Sequence, residues 1–190
     1  MLIALLLLAC GAREAAPQAA EPAQASTTTP ARGDRAALPQ SGHPAPALSL
    51  KELESGQTWT LSDQLDPSGK SSPKGLMLAF MASWCGYCSK SLPTLAQLQK
   101  DYPDLEIVTV TVDSSDPTRK AELDKVRKAG LTGPVLVADE QTIETWTGSG
   151  RGVPKYYFID HNGVLVSKDD GFGEKVRPMM PRQAARALRD

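Results

Sequence analysis

The sequence predicts an α/β domain in which a mixed central sheet is flanked by helices. Short apolar runs typical of strands alternate with amphipathic or polar segments typical of helices, and a His-Asn-Gly turn joins the last two strand-like runs. The alternation favours βαβ units with a mainly parallel sheet, and the turn adds an antiparallel hairpin. We assign residues 43–190 to one folded domain, a size that a single hydrophobic core can stabilise.

The strands are predicted from their apolar patterns. Residues 46–65 indicate two strands around a Ser-Gly turn, residues 75–83 form a continuous apolar run, and residues 105–113 alternate β-branched side chains. A continuous run bounded by Gly is typical of a central strand that is covered on both faces. Three further strands are predicted at 134–139, 155–160 and 164–167. The expected inward-facing residues of the first pair are Leu48, Leu50, Trp59 and Leu61.

Four helices are predicted between or after these strands. Residues 85–100 place apolar side chains at helical spacing, and a polar helix near 117–129 ends at Gly130. A short helix near 140–147 and a C-terminal helix near 179–189 complete the set. The core side chains expected from the first helix are Leu92, Leu95, Ala96 and Leu98, and the aromatic residues expected in the core or at its rim are Trp59, Trp146, Tyr156, Tyr157 and Phe158. Arg182, Arg186 and Arg189 are expected on a solvated face.

The N-terminal residues 1–10, MLIALLLLAC, form an apolar run that is too short to cross a bilayer as a helix, which takes about 20 residues. Its Leu-Leu-Ala-Cys end is similar to the lipobox of bacterial lipoproteins, although no basic residue precedes the leucines. The resemblance implies cleavage before Cys10 and acylation of its sulfur. The expected location is therefore the bacterial cell envelope, anchored in a membrane and facing the periplasm, and Gly11 favours the outer membrane.

Residues 11–42 are rich in Ala, Pro, Thr and Gln and have almost no large apolar side chains. Such a segment cannot bury enough surface to offset the entropy lost on ordering, so we predict a disordered tether. The whole chain carries 21 Lys and Arg against 22 Asp and Glu. This balance excludes the strongly basic surface that nucleic-acid binding requires.

Two of the three cysteines lie in the stretch WCGYC, between a predicted strand and a predicted helix. Residues at positions i and i+3 of a helix are close enough for a disulfide. The amides and the dipole at a helix N-terminus favour a thiolate, so Cys85 is the candidate nucleophile and Cys88 the candidate resolving thiol. Gly86 would let a substrate backbone approach, Tyr87 would tune the reduction potential together with Gly86, and Trp84 would pack beside the site and shield it.

The order of these motifs resembles that of thioredoxin-fold proteins, and within them the membrane-tethered TlpA/ResA/DsbE-like thiol-disulfide oxidoreductases. The resemblance covers roughly residues 43–180 and rests on WCGYC at 84–88, Pro93 in the following helix, and Gly-Val-Pro at 152–154. It implies a thioredoxin-like three-layer sandwich with an N-terminal β-hairpin extension and a central αβ insertion at 114–139. It also implies a cis bond between Val153 and Pro154, whose backbone would bind the substrate as an added strand.

Two positions differ from the acids that this group of proteins uses to deprotonate the second cysteine. Thioredoxin has a buried Asp where this sequence has Ala79, and many ResA-like members have a Glu where it has Ser91. We therefore expect water or another acid, such as Glu54 or Asp113, to accept the proton of Cys88. The expected activity is reduction of disulfide-bearing proteins by a monomer that needs no cofactor and receives electrons from a membrane thiol-disulfide donor. Apocytochrome c, a copper-centre assembly factor and misfolded proteins in general remain open as substrates.

Other functions remain open from the sequence. The Gly-Tyr dipeptide between the cysteines is found in periplasmic disulfide isomerases, so isomerisation or oxidation is an alternative to reduction. A thiolate pair also binds Cu(I), with Met179 and Met180 as further ligands, although these methionines are expected to pack. A zinc site would have to recruit His43 and His161 and is disfavoured. A peroxiredoxin would have Thr where this chain has Ala82.

Overall fold

The computed structural model describes residues 38–70, 73–149 and 152–189. Within these ranges the chain forms seven strands and four α-helices, with a short 3₁₀ helix at Leu61–Gln64. The strands are β1 (Ser49–Glu52), β2 (Thr58–Thr60), β3 (Gly75–Met81), β4 (Leu105–Thr111), β5 (Val135–Val137), β6 (Lys155–Asp160) and β7 (Leu165–Asp170). The helices are α1 (Gly86–Asp101), α2 (Asp116–Lys128), α3 (Glu140–Thr147) and α4 (Met180–Ala187). The predicted signal segment with Cys10, and residues 11–37 of the predicted tether, lie outside the described residues.

The strands form one mixed sheet in the order β2-β1-β5-β4-β3-β6-β7. The pairs β3–β4 and β4–β5 are parallel, and the other four pairs of described strands are antiparallel. The α/β class and the mixed sheet are confirmed, but the expectation of a mainly parallel sheet is wrong. The reason is that the β1–β2 hairpin joins β5 antiparallel and that β6 returns antiparallel to β3, so only the two βαβ units are parallel.

Strand β3 lies in the middle of the sheet and is buried along its whole length, as its unbroken apolar run predicts. Helices α1 and α4 contact each other, and α2 lies beside α1, since residues of both helices line one shallow cavity. Helix α3 covers the opposite face, where Trp146 stacks on Phe80 with a centroid distance of 5.7 Å and meets Tyr157 edge-on. The result is the predicted three-layer arrangement, with the central sheet between two helical layers.

The apolar core agrees closely with the predicted pattern. All four predicted inward residues of the first hairpin region and all four of α1 are buried, as are the predicted aromatic residues. Each large side chain that is fully buried contributes roughly 1.5–3 kcal/mol to folding, so this inner set supplies most of the driving force. The three C-terminal arginines lie outside the buried core, as expected.

Two boundaries differ from the prediction. The composition assigns residues 38–42 to the tether, but Pro39 is buried and the Gly42 amide donates a hydrogen bond to the Leu165 carbonyl at 2.7 Å. The domain therefore begins before His43. Strand β7 extends to Asp170, three residues beyond its predicted end, because it continues to pair with β6 as far as Lys155.

Candidate active site

Cys85 and Cys88 lie at the start of α1 and are joined by a disulfide, with a Cα–Cα distance of 5.2 Å. Cys85 is the N-cap residue, and the backbone amide of Cys88 donates to its Sγ at 3.1 Å. The local sequence favours this geometry because β3 ends at Met81 and a turn then delivers Cys85 to the first helical amides, which have no partners within the helix. An N–H group directed at Sγ also stabilises a thiolate there once the disulfide is reduced.

The two sulfur-bearing residues differ in exposure. Cys85 is 7 % exposed and Cys88 is 1 % exposed, so Cys85 is the more accessible of the two, in the predicted order, although it is largely covered in the disulfide state. Tyr87 and Trp84 on either side are 61 % and 64 % exposed. The expectation that Trp84 packs is wrong, because it lies in the turn before α1 and not on the buried face of the helix. Both rings are instead exposed at the surface, and Tyr87 lines the groove next to Val153 and Pro154.

The Val153–Pro154 bond is cis, as predicted, and it lies against the disulfide. The carbonyl oxygen of Val153 is 3.6 Å from Cys85 Sγ. Pro154 is buried, and its own carbonyl accepts a hydrogen bond of 2.8 Å from the amide of Gly171. The loop after β7 is thereby held next to the site.

A groove of about 580 Å³ runs from the cis bond along this loop. Its apolar lining includes Tyr87, Val153, Pro154, Phe172 and Val176. Phe172 and Val176 were not predicted, since the only sequence signal for them is an aromatic residue between two glycines after the last strand. A Cβ built on Gly86 would meet no atom within 4 Å, so the groove is open above the first turn of α1.

Ser83, two residues before Cys85, is held by two charged side chains. The Asp113 carboxylate accepts hydrogen bonds from the Ser83 amide at 2.8 Å and from the Ser83 hydroxyl at 3.1 Å. The ammonium group of Lys125 donates to the Ser83 carbonyl. Asp113 is only 2 % exposed and also accepts a bond from Thr111. Both the N–H and the C=O group of Ser83 are thus hydrogen-bonded, which fixes the backbone just before Cys85.

Of the two acids suggested for deprotonating Cys88, the structure brings only Asp113 to this region. Glu54 is paired with Arg127, whose guanidinium also donates to the carbonyls of Leu131 and Gly133 just before β5. Strands β3, β4 and β5 are parallel, so residues just before β5 lie at the N-terminal ends of these strands. Cys85 follows β3 and therefore lies at the opposite, C-terminal ends. The hydrogen bond from Arg127 lowers the pKa of Glu54. Glu54 is therefore an ion-pair partner and not a proton acceptor for Cys88.

Glu122 is a buried acid of this region that was not predicted from the sequence. It is 1 % exposed, and its Oε1 atom has no hydrogen-bond partner among the described residues. Burial is the main cause that raises its pKa to about 7, the charge of Asp113 acts in the same direction, and Lys125 acts in the opposite one. Sequence reasoning missed it because its burial follows from how α2 packs, on the same side of the helix as the buried Val126.

A second buried polar cluster lies on the other side of Cys88. Ser91 is fully buried and donates to the Cys88 carbonyl at 2.8 Å. Tyr156 is in register with Ala79 on one side and Asp169 on the other, so these three residues share the face of the sheet toward α1 and α4. Burial raises the pKa values of Tyr156 and Asp169. Ser91 lies close enough to lower the pKa of Tyr156 somewhat against the effect of burial. The Tyr156 hydroxyl nevertheless has no hydrogen-bond partner among the described residues.

The described residues contain no group of three or more His, Cys, Asp or Glu side chains that could hold a metal ion. Met180 packs in the core, as expected, whereas Met179 is 43 % exposed, contrary to expectation, because it precedes the first turn of α4. His43 is exposed and His161 lies in the turn before β7. Among the helices of the described segments, none has the length and apolar character needed to cross a membrane.

Comparison with known proteins identifies a family and several relatives of this chain. Residues 41–168 match the model of the AhpC/TSA family. The thioredoxin-like protein YneN of Bacillus subtilis is 32% identical over 127 residues, 66% of this chain and 69% of that protein. The thiol-disulfide oxidoreductase ResA of Bacillus thuringiensis is 30% identical over 129 residues, 68% of this chain and 69% of that protein.

A solved structure shows the same fold. The thiol:disulfide interchange protein of the thioredoxin family from Chlorobium tepidum superposes with a TM-score of 0.60 at 23% sequence identity. The superposition covers 77% of this chain and 97% of that one. The family match ends inside β7, so the loop with Phe172 and helix α4 lie beyond it.

Proposed function

The chain belongs to the AhpC/TSA family and has a thioredoxin-like fold, and on this basis we propose that it is an extracytoplasmic thiol-disulfide oxidoreductase that reduces protein disulfides through Cys85 and Cys88. The observation that carries the proposal is the position of Cys85. Its Sγ accepts an N–H bond at the start of α1 and lies 3.6 Å from the carbonyl of Val153, in a groove large enough for a peptide segment. A structural disulfide would not require an adjoining groove.

The proposed reaction begins with the reduced protein. The thiolate of Cys85 attacks one sulfur of a substrate disulfide, which forms a mixed disulfide and releases the other substrate sulfur as a thiolate that takes up a proton. The thiol of Cys88 then gives its proton to water, and its thiolate attacks Sγ of Cys85. This step forms the Cys85–Cys88 disulfide present in the structure and releases the second substrate thiolate. Two electrons pass from the dithiol to the substrate, and a membrane thiol-disulfide donor would return them.

The groove accounts for how a protein substrate would be held. Val153 presents its carbonyl beside the reacting sulfur, where an extended segment can pair with it as an added strand. Tyr87 and Phe172 line the groove and provide apolar surface for side chains next to the substrate cysteine, and the exposed Trp84 directly precedes Cys85 in the chain. An exposed patch of this kind is typical of a binding surface.

Reduction is proposed over oxidation or isomerisation because few groups stabilise a thiolate at Cys85. Strong oxidants of this fold stabilise the thiolate and hence the reduced form. Here Sγ receives one described N–H bond, and the Asp113 carboxylate and the Lys125 ammonium, which both bind Ser83, carry opposite charges that offset each other. A thiolate with little stabilisation corresponds to a more reducing couple. A Cu(I)-carrying role remains the second candidate from the sequence, and Met180 does not support it because this side chain is buried in the core.

Reduction of insulin by dithiothreitol, followed as precipitation of the B chain, tests the proposal. The full-length protein should accelerate precipitation, Cys85→Ser should lose the acceleration, and Cys10→Ser should keep it as the matched control for a cysteine outside the pair. Retained acceleration in Cys85→Ser would contradict the proposal. The anchor is tested separately, since Cys10→Ser should leave the membrane fraction and lose incorporation of labelled palmitate if Cys10 is lipidated.

A further inference from the structure

The segment that enters the active site is held by a group that we call the Ser83 clamp, consisting of Ser83, Asp113 and Lys125. The Asp113 carboxylate accepts hydrogen bonds from the backbone N–H and the hydroxyl of Ser83, and the Lys125 ammonium group donates one to the Ser83 carbonyl. The next residues along the chain are Trp84 and Cys85, and the Cys85 amide bonds back to the Ala82 carbonyl at 3.0 Å. Any shift of Ser83 therefore moves Cys85 relative to the helix amides that stabilise its thiolate.

Glu122 lies against this clamp, and one of its carboxyl oxygens has no partner. It is on α2 three residues before Lys125, which places the two side chains on the same side of the helix. Glu122 is 1 % exposed and its Oε1 atom has no hydrogen-bond partner among the described residues. A buried carboxyl group without donors is costly as an anion, so its protonation state depends on the groups around it.

The ionisable groups that act on Glu122 come from each neighbouring element. Asp113 follows β4, Lys125 is on α2 itself, and both influence the Glu122 carboxyl electrostatically. Arg119, also on α2, donates to the Asp113 carbonyl and pairs with Asp116 at the helix start. The adjacent helix α1 contributes Cys85 and Cys88, which carry no charge while they form the disulfide. Lys125 is thus the cation that acts electrostatically on Glu122, while its ammonium group donates to the Ser83 carbonyl.

We propose that Glu122 is a positioning residue that controls the Ser83 clamp, and through it the reactivity of Cys85, by gaining and losing a proton. When Glu122 is protonated, the negative charge of Asp113 and the positive charge of Lys125 offset each other, and the Lys125 ammonium group stays hydrogen-bonded to the Ser83 carbonyl. When Glu122 ionises, two buried carboxylates compete for one ammonium group, and an unpaired buried charge is more costly than a lost hydrogen bond to a carbonyl. Lys125 then moves toward Glu122, the clamp loosens, and the added negative charge disfavours the Cys85 thiolate.

The proposal has a definite pH range. Because Glu122 has a pKa of about 7, its effect on Cys85 should set in around neutral pH. The reactivity of Cys85 should therefore rise less steeply above this pH than ionisation of a single thiol predicts. The inference rests on the proposed function for its biological meaning, but it concerns a property of Cys85 that can be measured without a protein substrate.

The test is the rate at which iodoacetamide alkylates Cys85 in the reduced full-length protein, measured across pH by mass spectrometry of the peptide that contains Cys85. Wild type and Glu122→Gln should react equally at about pH 6, where both side chains are neutral. At about pH 8, Glu122→Gln should react about threefold faster, the change that half a pKa unit in the thiol would give. Glu106→Gln is the matched control, since burial also raises the pKa of Glu106, but it lies at the other end of β4.

Equal pH profiles for wild type and Glu122→Gln would overturn the inference, as would the same change in Glu106→Gln. If Glu122→Gln does not fold, Lys125→Met provides the second test, because Glu122 acts on the clamp through Lys125 and the inflection near neutral pH should be lost or much reduced without it. An inflection of unchanged size in Lys125→Met would also overturn the inference. Failure of the proposed function would look different: insulin reduction would be missing while the alkylation profile still depended on Glu122.

Discussion

The Sγ atom of Cys85 lies 3.6 Å from the carbonyl oxygen of Val153, although 68 residues separate them in the sequence. The start of α1 and the cis Val153–Pro154 bond therefore form one surface, at the edge of the sheet where β3 ends and β6 begins. On this surface a substrate segment bound along Val153 would bring its disulfide to Cys85 and not to Cys88, which is buried under the first turn of the helix. This placement supports the proposal that Cys85 attacks the substrate first.

The first prediction concerns that order. In Cys88→Ala the second attack cannot occur, so the mixed disulfide between Cys85 and the substrate should accumulate. Non-reducing electrophoresis after incubation of the reduced variant with oxidised insulin should show a larger covalent species that dithiothreitol removes. Cys85→Ala is the matched variant and should form no such species. Equal amounts from both variants would show that the two cysteines do not have distinct roles.

The second prediction concerns stability and pH. The pKa of the Glu122 carboxyl group rises from its ordinary value of 4.5 to about 7 in the fold, chiefly because the group is buried. Between these pH values the native state keeps a proton that the unfolded state has lost, so the free energy of unfolding falls as pH rises. Glu122→Gln removes this contribution, which can reach about 3 kcal/mol. Urea unfolding across this range should therefore show a flatter pH dependence for Glu122→Gln than for wild type.

Glu54 provides the contrast for this experiment. Arg127 lowers the pKa of Glu54 in the folded protein. The ion pair therefore stabilises the fold above the pKa that Glu54 has in the unfolded chain, and this stabilisation is lost as the pH falls through its pKa in the folded protein. Glu54→Gln should reduce stability at neutral pH slightly, because the pair is exposed.

For the Glu122 prediction, identical slopes of unfolding free energy against pH in wild type and Glu122→Gln would mean that Glu122 is not protonated in the native state near pH 7.

The third prediction compares two neighbouring tyrosines on opposite faces of the sheet. The hydroxyl of Tyr157 donates to the Trp146 carbonyl, whereas the hydroxyl of Tyr156 has no partner of good geometry among the described residues. Tyr157→Phe should lower the free energy of unfolding by about 1 kcal/mol, and Tyr156→Phe should leave it unchanged or raise it. Chemical denaturation of both variants measures the difference. An equal loss in Tyr156→Phe would show that its hydroxyl is bonded, with Ser91 as the candidate partner.

The fourth prediction concerns a close backbone contact. A Cβ atom at Gly133 would overlap the carbonyl group of Ile107, and this neighbour is backbone that cannot rotate away. Gly133→Ala should therefore destabilise the fold by about 1–3 kcal/mol, as overpacking does. Gly86→Ala is the control, since a Cβ there meets nothing within 4 Å. Thermal unfolding should separate the two variants, and equal melting temperatures would contradict the close approach of residues 107 and 133.

The local pattern of the sequence is sufficient to predict the elements of the domain. The unbroken apolar run of β3, the helical spacing of Leu92 and Leu95, and the Cys85–Cys88 pair all have the predicted positions. These features depend on period and spacing along the chain, which the sequence contains directly. The cis bond before Pro154 follows from the family resemblance.

The parts that the sequence did not predict depend on contacts between distant segments. The direction of the β1–β2 hairpin relative to β5, the position of Pro39 against the domain, and the exposure of Trp84 all follow from tertiary packing. The same holds for Glu122, which looks like one more charge on a polar helix until α2 is placed against Asp113. Local propensity does not determine such contacts.

The reduction potential of the Cys85–Cys88 couple is the most direct measure of the proposed activity. It can be obtained by equilibrating the full-length protein in buffers with defined ratios of reduced to oxidised dithiothreitol and following the reduced fraction by thiol alkylation. A reductase should have a midpoint near the thioredoxin value of about −270 mV. A midpoint near the value of the strong oxidant DsbA, about −120 mV, or a disulfide that does not open reversibly at all, would contradict the assignment.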